Sequence, residues 1–211
     1  MLSNKIIVAL DGITTEKLLE IANSLKEYVW GFKVNDILYE NLSIIDQLKK
    51  LGRVFVDVKL HDIPNTVSNT VRRLSLKGVD MITVHASGGI DMMKAAKEKA
   101  GDSKIIAVTV LTSLRSLNAE KKVLRLAEEA LEAGVDGIVC SSHELQVISK
   151  IPEMKSKLKI VPAIRPSWYA EADDQIRTTT PKEAISAGAD YLVIGRPITQ
   201  SENPLEAVKR L

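Results

Sequence analysis

The chain has 211 residues, of which 45% are hydrophobic and 27% charged, the balance of an ordinary globular protein with one large core. A formal net charge of +2 gives no reason to expect a nucleic acid or an anionic membrane as partner, so any bound anion must be held by a few placed side chains. The single cysteine, Cys140, excludes an intrachain disulfide.

In chain order, short β-branched runs alternate with longer amphipathic stretches. The first run, 6–10, ends at Asp11 and leads into a helical pattern over 15–28. The second, 31–34, contains Lys33 and precedes a helical pattern over 40–51. A third run, 54–59, is followed by helix 67–77, and a fourth, 81–85, ends on His85 before helix 90–100. The fifth, 105–111, runs into Thr112 ahead of helix 119–133. Next come 137–140 with helix 144–150, then 160–164 with Arg165 behind it. After a long stretch without periodicity, 166–180, helix 181–187 precedes the last strand, 191–194, then Gly195-Arg196 and helix 204–211.

Eight strands, each followed by a helix, predict an α/β fold: a (β/α)8 TIM barrel spanning residues 1–211 as a single domain. An open doubly wound sheet is the competing architecture. Three near-repeats, Lys77-Gly78-Val79-Asp80, Ala133-Gly134-Val135-Asp136 and Ala187-Gly188-Ala189-Asp190, each close a helix before an apolar strand and read as structural punctuation. Cys140 lies in the apolar run 137–140 and is expected to be buried and inert. The start of the chain lacks the features of a signal peptide, and no apolar stretch approaches the ~20 residues of a membrane span. A reduced, cytoplasmic protein is expected.

Side chains in a barrel strand alternate between the interior and the helix layer. In the third strand Val54, Val56, Val58 and Leu60 share one face, and Phe55, Asp57 and Lys59 the other. Apolar packing under the helices requires the second face to point inward, which sets Asp57 beside Lys59 near the strand's C-terminal end. Asp11, Lys33, His85, Thr112, Arg165 and Arg196 also fall at strand ends, so polar groups collect at the mouth where barrel enzymes build their sites. His85 fits a structural hydrogen-bonding role better than a catalytic one.

A lysine flanked by Asp57 and Asp62 should remain protonated, which suits a proton donor to a carbanion and not a Schiff-base nucleophile. Asp57 would crowd a bound carboxylate, so the pair suits a substrate losing a negative group. A buried structural salt-bridge network is the alternative reading. Gly195-Arg196 fits an anion site, with glycine admitting a phosphate to the backbone and the guanidinium supplying paired donors. A purely structural Arg196 is the alternative there.

The run from Val56 to Thr66, Val-Asp-Val-Lys-Leu-His-Asp-Ile-Pro-Asn-Thr, resembles the motif of the orotidine 5'-phosphate decarboxylase family. The similarity extends to Val8-Ala9-Leu10-Asp11, Phe32-Lys33-Val34, Thr83-Val84-His85-Ala86, Val108-Thr109-Val110-Leu111-Thr112-Ser113, Pro162-Ala163-Ile164-Arg165-Pro166 and Val193-Ile194-Gly195-Arg196-Pro197. The Asp-x-Lys-x-x-Asp core alone is shared with sugar-phosphate decarboxylases; the extension His61-Asp62-Ile63-Pro64-Asn65-Thr66 is far more specific.

The resemblance implies cofactor-free and metal-free decarboxylation of orotidine 5'-monophosphate to UMP, the last step of de novo UMP biosynthesis. Lys59 would protonate C6 as CO2 leaves, with Asp57 beside the departing carboxylate. Lys33 would complete the alternating charge chain, and Asp11 and Lys33 would hold the ribose hydroxyls. Asp62 and Thr66 would reach into the partner subunit's site, which implies a homodimer. Thr112 would contact the pyrimidine. Arg165, Gln175, Gly195 and Arg196 would surround the phosphate, Gln175 from the long seventh loop, whose segment 166–172 is individual to this chain.

Three other readings compete. A metal-dependent sugar-phosphate decarboxylase would want an acidic ligand where this chain has Lys33, which repels a divalent cation. A phosphosugar epimerase needs a histidine cluster that His61, His85 and His143 do not form. A barrel that binds phosphate without turnover would carry Asp57, Lys59 and Asp62 as an unused, costly charge cluster.

Overall fold

The computed structural model describes residues 2–110, 119–169 and 178–211. Eight parallel strands close into a barrel in sequence order. They are β1 (Ile6–Ala9), β2 (Gly31–Val34), β3 (Arg53–Leu60), β4 (Met81–His85), β5 (Lys104–Val108), β6 (Gly137–Val139), β7 (Leu158–Val161) and β8 (Tyr191–Ile194). Around them lie α1 (Thr15–Leu25), α2 (Ile44–Leu48), α3 (Pro64–Ser75), α4 (Ile90–Glu98), α5 (Ala119–Glu132), α6 (Ser142–Ile148), α7 (Pro181–Ser186), the short α8 (Arg196–Thr199) and α9 (Pro204–Lys209). The predicted (β/α)8 barrel is the observed fold, and the open doubly wound sheet is excluded.

Alternation along the strands divides the apolar residues into two cores. Ile7, Phe55, Met81, Ile106, Ile160 and Val193 fill the barrel interior. Ile6, Val8, Val54, Val56, Ile82 and Ile105 face outward, against helix residues such as Leu18, Val71, Met93 and Leu126. Helix starts follow local chemistry: Thr14 accepts from the Lys17 N–H, Asn203 from that of Glu206, and Thr180 forms a reciprocal box with Glu183. Among the described residues no helix is long and apolar enough to cross a membrane.

The fifth strand, expected over 105–111, ends at Val108 and the first helix, expected over 15–28, at Leu25; two further differences have a local cause. The helix expected over 40–51 shrinks to α2, preceded by a 3-10 turn at Asp36–Tyr39. Asn41 accounts for the break, because its Oδ1 accepts from the Ser43 N–H at 2.9 Å and the Ser43 hydroxyl at 2.7 Å, an alternative to helical pairing. The strand expected over 160–164 ends at Val161. Ala163 turns into the left-handed region (φ 60°), and Ile164 makes only an isolated bridge to Thr179.

The three near-repeats form one device used three times. Gly78, Gly134 and Gly188 take φ of 72°, 73° and 104°, values that close a helix and suit glycine. The aspartate two residues on then clips two strands together at the barrel's N-terminal end. Asp80, Asp136 and Asp190 each accept, at 2.8 Å, the backbone N–H of Val54, Ile105 or Lys159. Each returns its own N–H to the carbonyl of that same residue, at 2.9 Å in all three cases. A lysine completes each clip: Lys49 on Asp80, Lys97 on Asp136 and Lys159 on Asp190.

Candidate active site

The C-terminal mouth opens onto a cavity of about 490 Å³, within the usual range for a small-molecule site. One wall carries charge. Lys33 on β2 lies 2.5 Å from Asp11, just past β1, and 3.2 Å from Asp57 on β3. Asp57 in turn meets the Lys59 ammonium at 2.8 Å. Asp11, Lys33, Asp57 and Lys59 thus form a continuous chain of alternating sign. Register explains the assembly: Ala9 pairs with Lys33 and Lys33 with Phe55, which places the three strand ends side by side.

The middle of this chain is dry. Lys33 and Asp57 are buried, whereas Lys59 and Asp11 keep part of their side chains in solvent. Burial alone would push the Asp57 carboxyl up, but the Lys33 and Lys59 ammoniums, with hydrogen bonds from Lys59 and Thr83, outweigh it and hold it below the usual aspartate value. Burial likewise opposes the Lys33 cation, yet Asp57 and Asp11 raise its pKa above that of an ordinary lysine. Lys33 and Asp57 therefore stay charged near neutral pH.

β3 does not reach the mouth as a regular strand. Its register with β4 slips between Val56 and Leu60, and Lys59 sits in the left-handed region at φ 49°, a conformation costing about 1–2 kcal/mol for a side chain with a Cβ. Val58 and Leu60 still pack outward, so the expected alternation of faces survives the slip. Thr83 on β4, fully buried, spans the irregularity: its hydroxyl accepts from the Lys59 N–H at 2.8 Å and donates to Asp57 Oδ1 at 2.9 Å.

The far wall is apolar, built by Val108, Val110, Val139, Pro162 and Val193. Gly195, Arg196, Thr199 and Arg165 complete the rim, the first two following β8, which pairs with β1. Arg196 opens α8 directly after β8. Arg165 is anchored by its backbone N–H to the Thr179 carbonyl at 2.8 Å, and its guanidinium lies over the Tyr169 ring at 5.7 Å. The neighbouring Trp168 stacks on Arg210 at 4.8 Å, tying the start of the seventh loop to the C-terminal end of the described chain.

Of the predicted site residues, Asp11, Lys33, Asp57, Lys59, Arg165, Gly195 and Arg196 line this one cavity. Asp62 and Thr66 do not. Both are exposed at the start of α3, outside the cavity of their own chain, with Asp62 accepting from the Ile63 N–H at 2.6 Å. Thr112 and Gln175 lie outside the described residues. Thr83 and Thr199 were not predicted. A threonine at an inward strand position carries no distinguishing mark in the sequence, and Thr199 reaches the rim because it lies one helical turn after Arg196 on α8. His85 stacks near His61, with ring centroids 5.4 Å apart, and burial with the nearby His61 and Lys59 holds it below the usual histidine value.

The arrangement offers an ammonium beside a buried carboxylate, an apolar wall for a planar ring and guanidiniums for an anion in the same cavity. Comparison with known proteins agrees with that reading. The family model described as "Orotidine 5'-phosphate decarboxylase / HUMPS family" matches residues 4–211. The chain is similar to the orotidine 5'-phosphate decarboxylase of Dichelobacter nodosus, with 45% identity over 98% of this chain and 96% of that protein. That of Streptococcus agalactiae is 44% identical over 86% of this chain and 84% of its own length. Among solved structures, the orotidine 5'-phosphate decarboxylase of Lactobacillus acidophilus superposes with a TM-score of 0.83 at 33% identity, covering 97% of this chain and 96% of that one. The one from Pyrococcus horikoshii OT3 gives 0.80 at 30% identity, with 97% and 95% covered. With the family model matched along nearly its whole length, the chain belongs to the orotidine 5'-phosphate decarboxylase / HUMPS family.

Proposed function

We propose that this protein decarboxylates orotidine 5'-monophosphate to UMP and CO2 without a cofactor, as the last step of de novo UMP synthesis. The observation that carries the reading is the Asp11–Lys33–Asp57–Lys59 chain, set in one cavity with Arg165 and Arg196. The pyrimidine would lie against Val108, Val110 and Val139, with its carboxylate toward Asp57. As the bond from C6 to the carboxylate breaks, its electron pair stays on C6, and a proton from the Lys59 ammonium moves to that carbon. The neutral amine left behind regains its proton from solvent. An ammonium 2.8 Å from a carboxylate is set to donate a proton, which favours this role over nucleophilic attack.

Asp11 and Lys33 are placed to hold the ribose hydroxyls. Gly195 and Arg196 suit the phosphate, together with Arg165 and, from the expectation above, Gln175; Thr112 is expected at the pyrimidine. Binding the remote phosphate would supply energy for organising the reacting end. Lys33, at the strand end where a metal-dependent relative would want an acidic ligand, instead pairs with Asp11 and Asp57, which disfavours the metal-dependent alternative.

Asp62 and Thr66 are read as contributors to a partner's site in a cytoplasmic homodimer. Their exposure supports this, as does that of Ile63 between them, which leaves 65% of its surface open.

The test is absorbance loss as purified protein meets orotidine 5'-monophosphate in buffer with EDTA, with Lys59→Ala alongside. Loss that survives EDTA and vanishes in the variant is expected. A folded wild-type protein that leaves the substrate intact would overturn the reading.

A further inference from the structure

Thr83 takes no part in the reaction drawn above, yet it touches two groups that do. Its side chain points into the barrel from β4, at the level where β3 loses register. The slip leaves the Lys59 N–H without a backbone carbonyl in the β3–β4 ladder, and the Thr83 hydroxyl takes that donor at 2.8 Å. A hydroxyl has one proton and two lone pairs. Here the proton goes to Asp57 Oδ1 and a lone pair to Lys59 N, so one oxygen atom joins both residues.

The two contacts divide the Asp57 carboxylate. Oδ1 is held by Thr83, while Oδ2 receives the ammoniums of Lys33 at 3.2 Å and Lys59 at 2.8 Å. Rotation of the carboxylate would break one set or the other. The backbone bond matters as much, because Lys59 occupies a conformation that an unsupported chain leaves readily. Changing φ at Lys59 swings the whole side chain away from the cavity.

We infer that Thr83 is a positioning residue, whose hydroxyl locks the left-handed Lys59 backbone and the Asp57 carboxylate into one geometry and so aims the Lys59 ammonium. Its catalytic consequence rests on the decarboxylase reading; the lock itself is a property of the fold.

The test compares Thr83→Ser with Thr83→Ala. Both lose the methyl group, so the packing defect is matched and only the oxygen differs. For orotidine 5'-monophosphate, the alanine variant is expected to lose about 10–100-fold in kcat with a smaller change in KM, the scale of misplacing a reacting group by an ångström or less. The serine variant is expected to stay within a few-fold of wild type. Hydrogen exchange at the Lys59 amide supplies a readout independent of turnover: faster in the alanine variant, near wild type in the serine variant. Equal kcat in the two folded variants, or unchanged exchange on removing the hydroxyl, would overturn the inference. If wild type itself left the substrate intact, the decarboxylase reading would fail, while the exchange comparison would still decide whether the lock exists. Should Thr83→Ala not fold, Thr83→Val tests the same loss of the hydroxyl with the volume kept.

Discussion

Replacing Asp57 with Asn removes the negative charge between two ammoniums while keeping the side chain's volume. At an effective dielectric constant of 20, Coulomb's law gives about 5 kcal/mol for the Lys33 pair at 3.2 Å and about 6 kcal/mol for the Lys59 pair at 2.8 Å. Most of that gross attraction is offset by the water stripped from Asp57 and Lys33, whose side chains are only 11% and 7% exposed. Breaking such a pair from one side leaves a stranded buried charge and costs about 3–5 kcal/mol. Lys59 can relax toward solvent and Lys33 keeps Asp11, so the lower end, ~3 kcal/mol, is expected for Asp57→Asn. Urea unfolding at pH 7 of wild type, Asp57→Asn, Lys33→Met and the double variant measures this as a cycle. The double variant should cost less than the sum of the singles by more than about 1.5 kcal/mol, because it removes the stranded cation. Additive costs, or an Asp57→Asn variant within about 0.5 kcal/mol of wild type, would refute the electrostatic account.

The same carboxylate makes stability pH-dependent. Its folded pKa is depressed, so its contribution is present above the unfolded value of about 3.9 and is lost as pH falls through the folded value. The stability gap between wild type and Asp57→Asn should accordingly shrink in acid, and a constant gap would contradict it. Arg196→Ala should lower kcat/KM for orotidine 5'-monophosphate by about 10–100-fold, the worth of a charge-assisted hydrogen bond, and leave turnover of phosphate-free orotidine nearly unchanged. At the other end of the barrel, Asp136→Ala leaves the Ile105 N–H without its carboxylate and should lower unfolding stability by about 1–3 kcal/mol, with kcat intact. If Asp62 serves the partner's site, mixing inactive Lys59→Ala and Asp62→Ala subunits should restore about a quarter of wild-type activity, since half the dimers would be hybrid with one complete site. No recovery after verified subunit exchange would count against shared sites.

Much of this was legible in the sequence, for identifiable reasons. A buried parallel strand must alternate strictly, so Phe55, Asp57 and Lys59 could be assigned to the interior before any coordinates. Strand ends could then be read as one ring of polar groups, and the chain through Asp11, Lys33 and Asp57 follows from adjacent strands in register. Positive φ at Lys59 and Ala163 could not be read, because nothing in a lysine or an alanine announces a left-handed backbone. Thr83 stayed hidden for a related reason: its importance comes from a slip in the neighbouring strand. Asn41 broke a helix whose apolar spacing was correct, a local side-chain bond prevailing over periodicity. The stacking of Trp168 on Arg210 joins residues far apart in sequence and left no local trace.

Aspartate–lysine pairs occur at both ends of this barrel, and their hydrogen-bond partners separate the two kinds. Asp80, Asp136 and Asp190 each spend an oxygen on a strand N–H, so their carboxylates are committed to the fold whatever their lysines do. Among the described residues the Asp57 carboxylate accepts only from side chains: two ammoniums and one hydroxyl. A carboxylate tied to the backbone cannot move without opening the sheet, whereas one held by side chains can meet a ligand while the barrel's ladder stays closed. Composition and spacing make the two kinds look alike, since Asp-Lys proximity is common to both. The repeated clip secures the strands at the N-terminal end, while at the C-terminal end the Asp57 carboxylate, dry at the middle of the charge chain, is held by side chains.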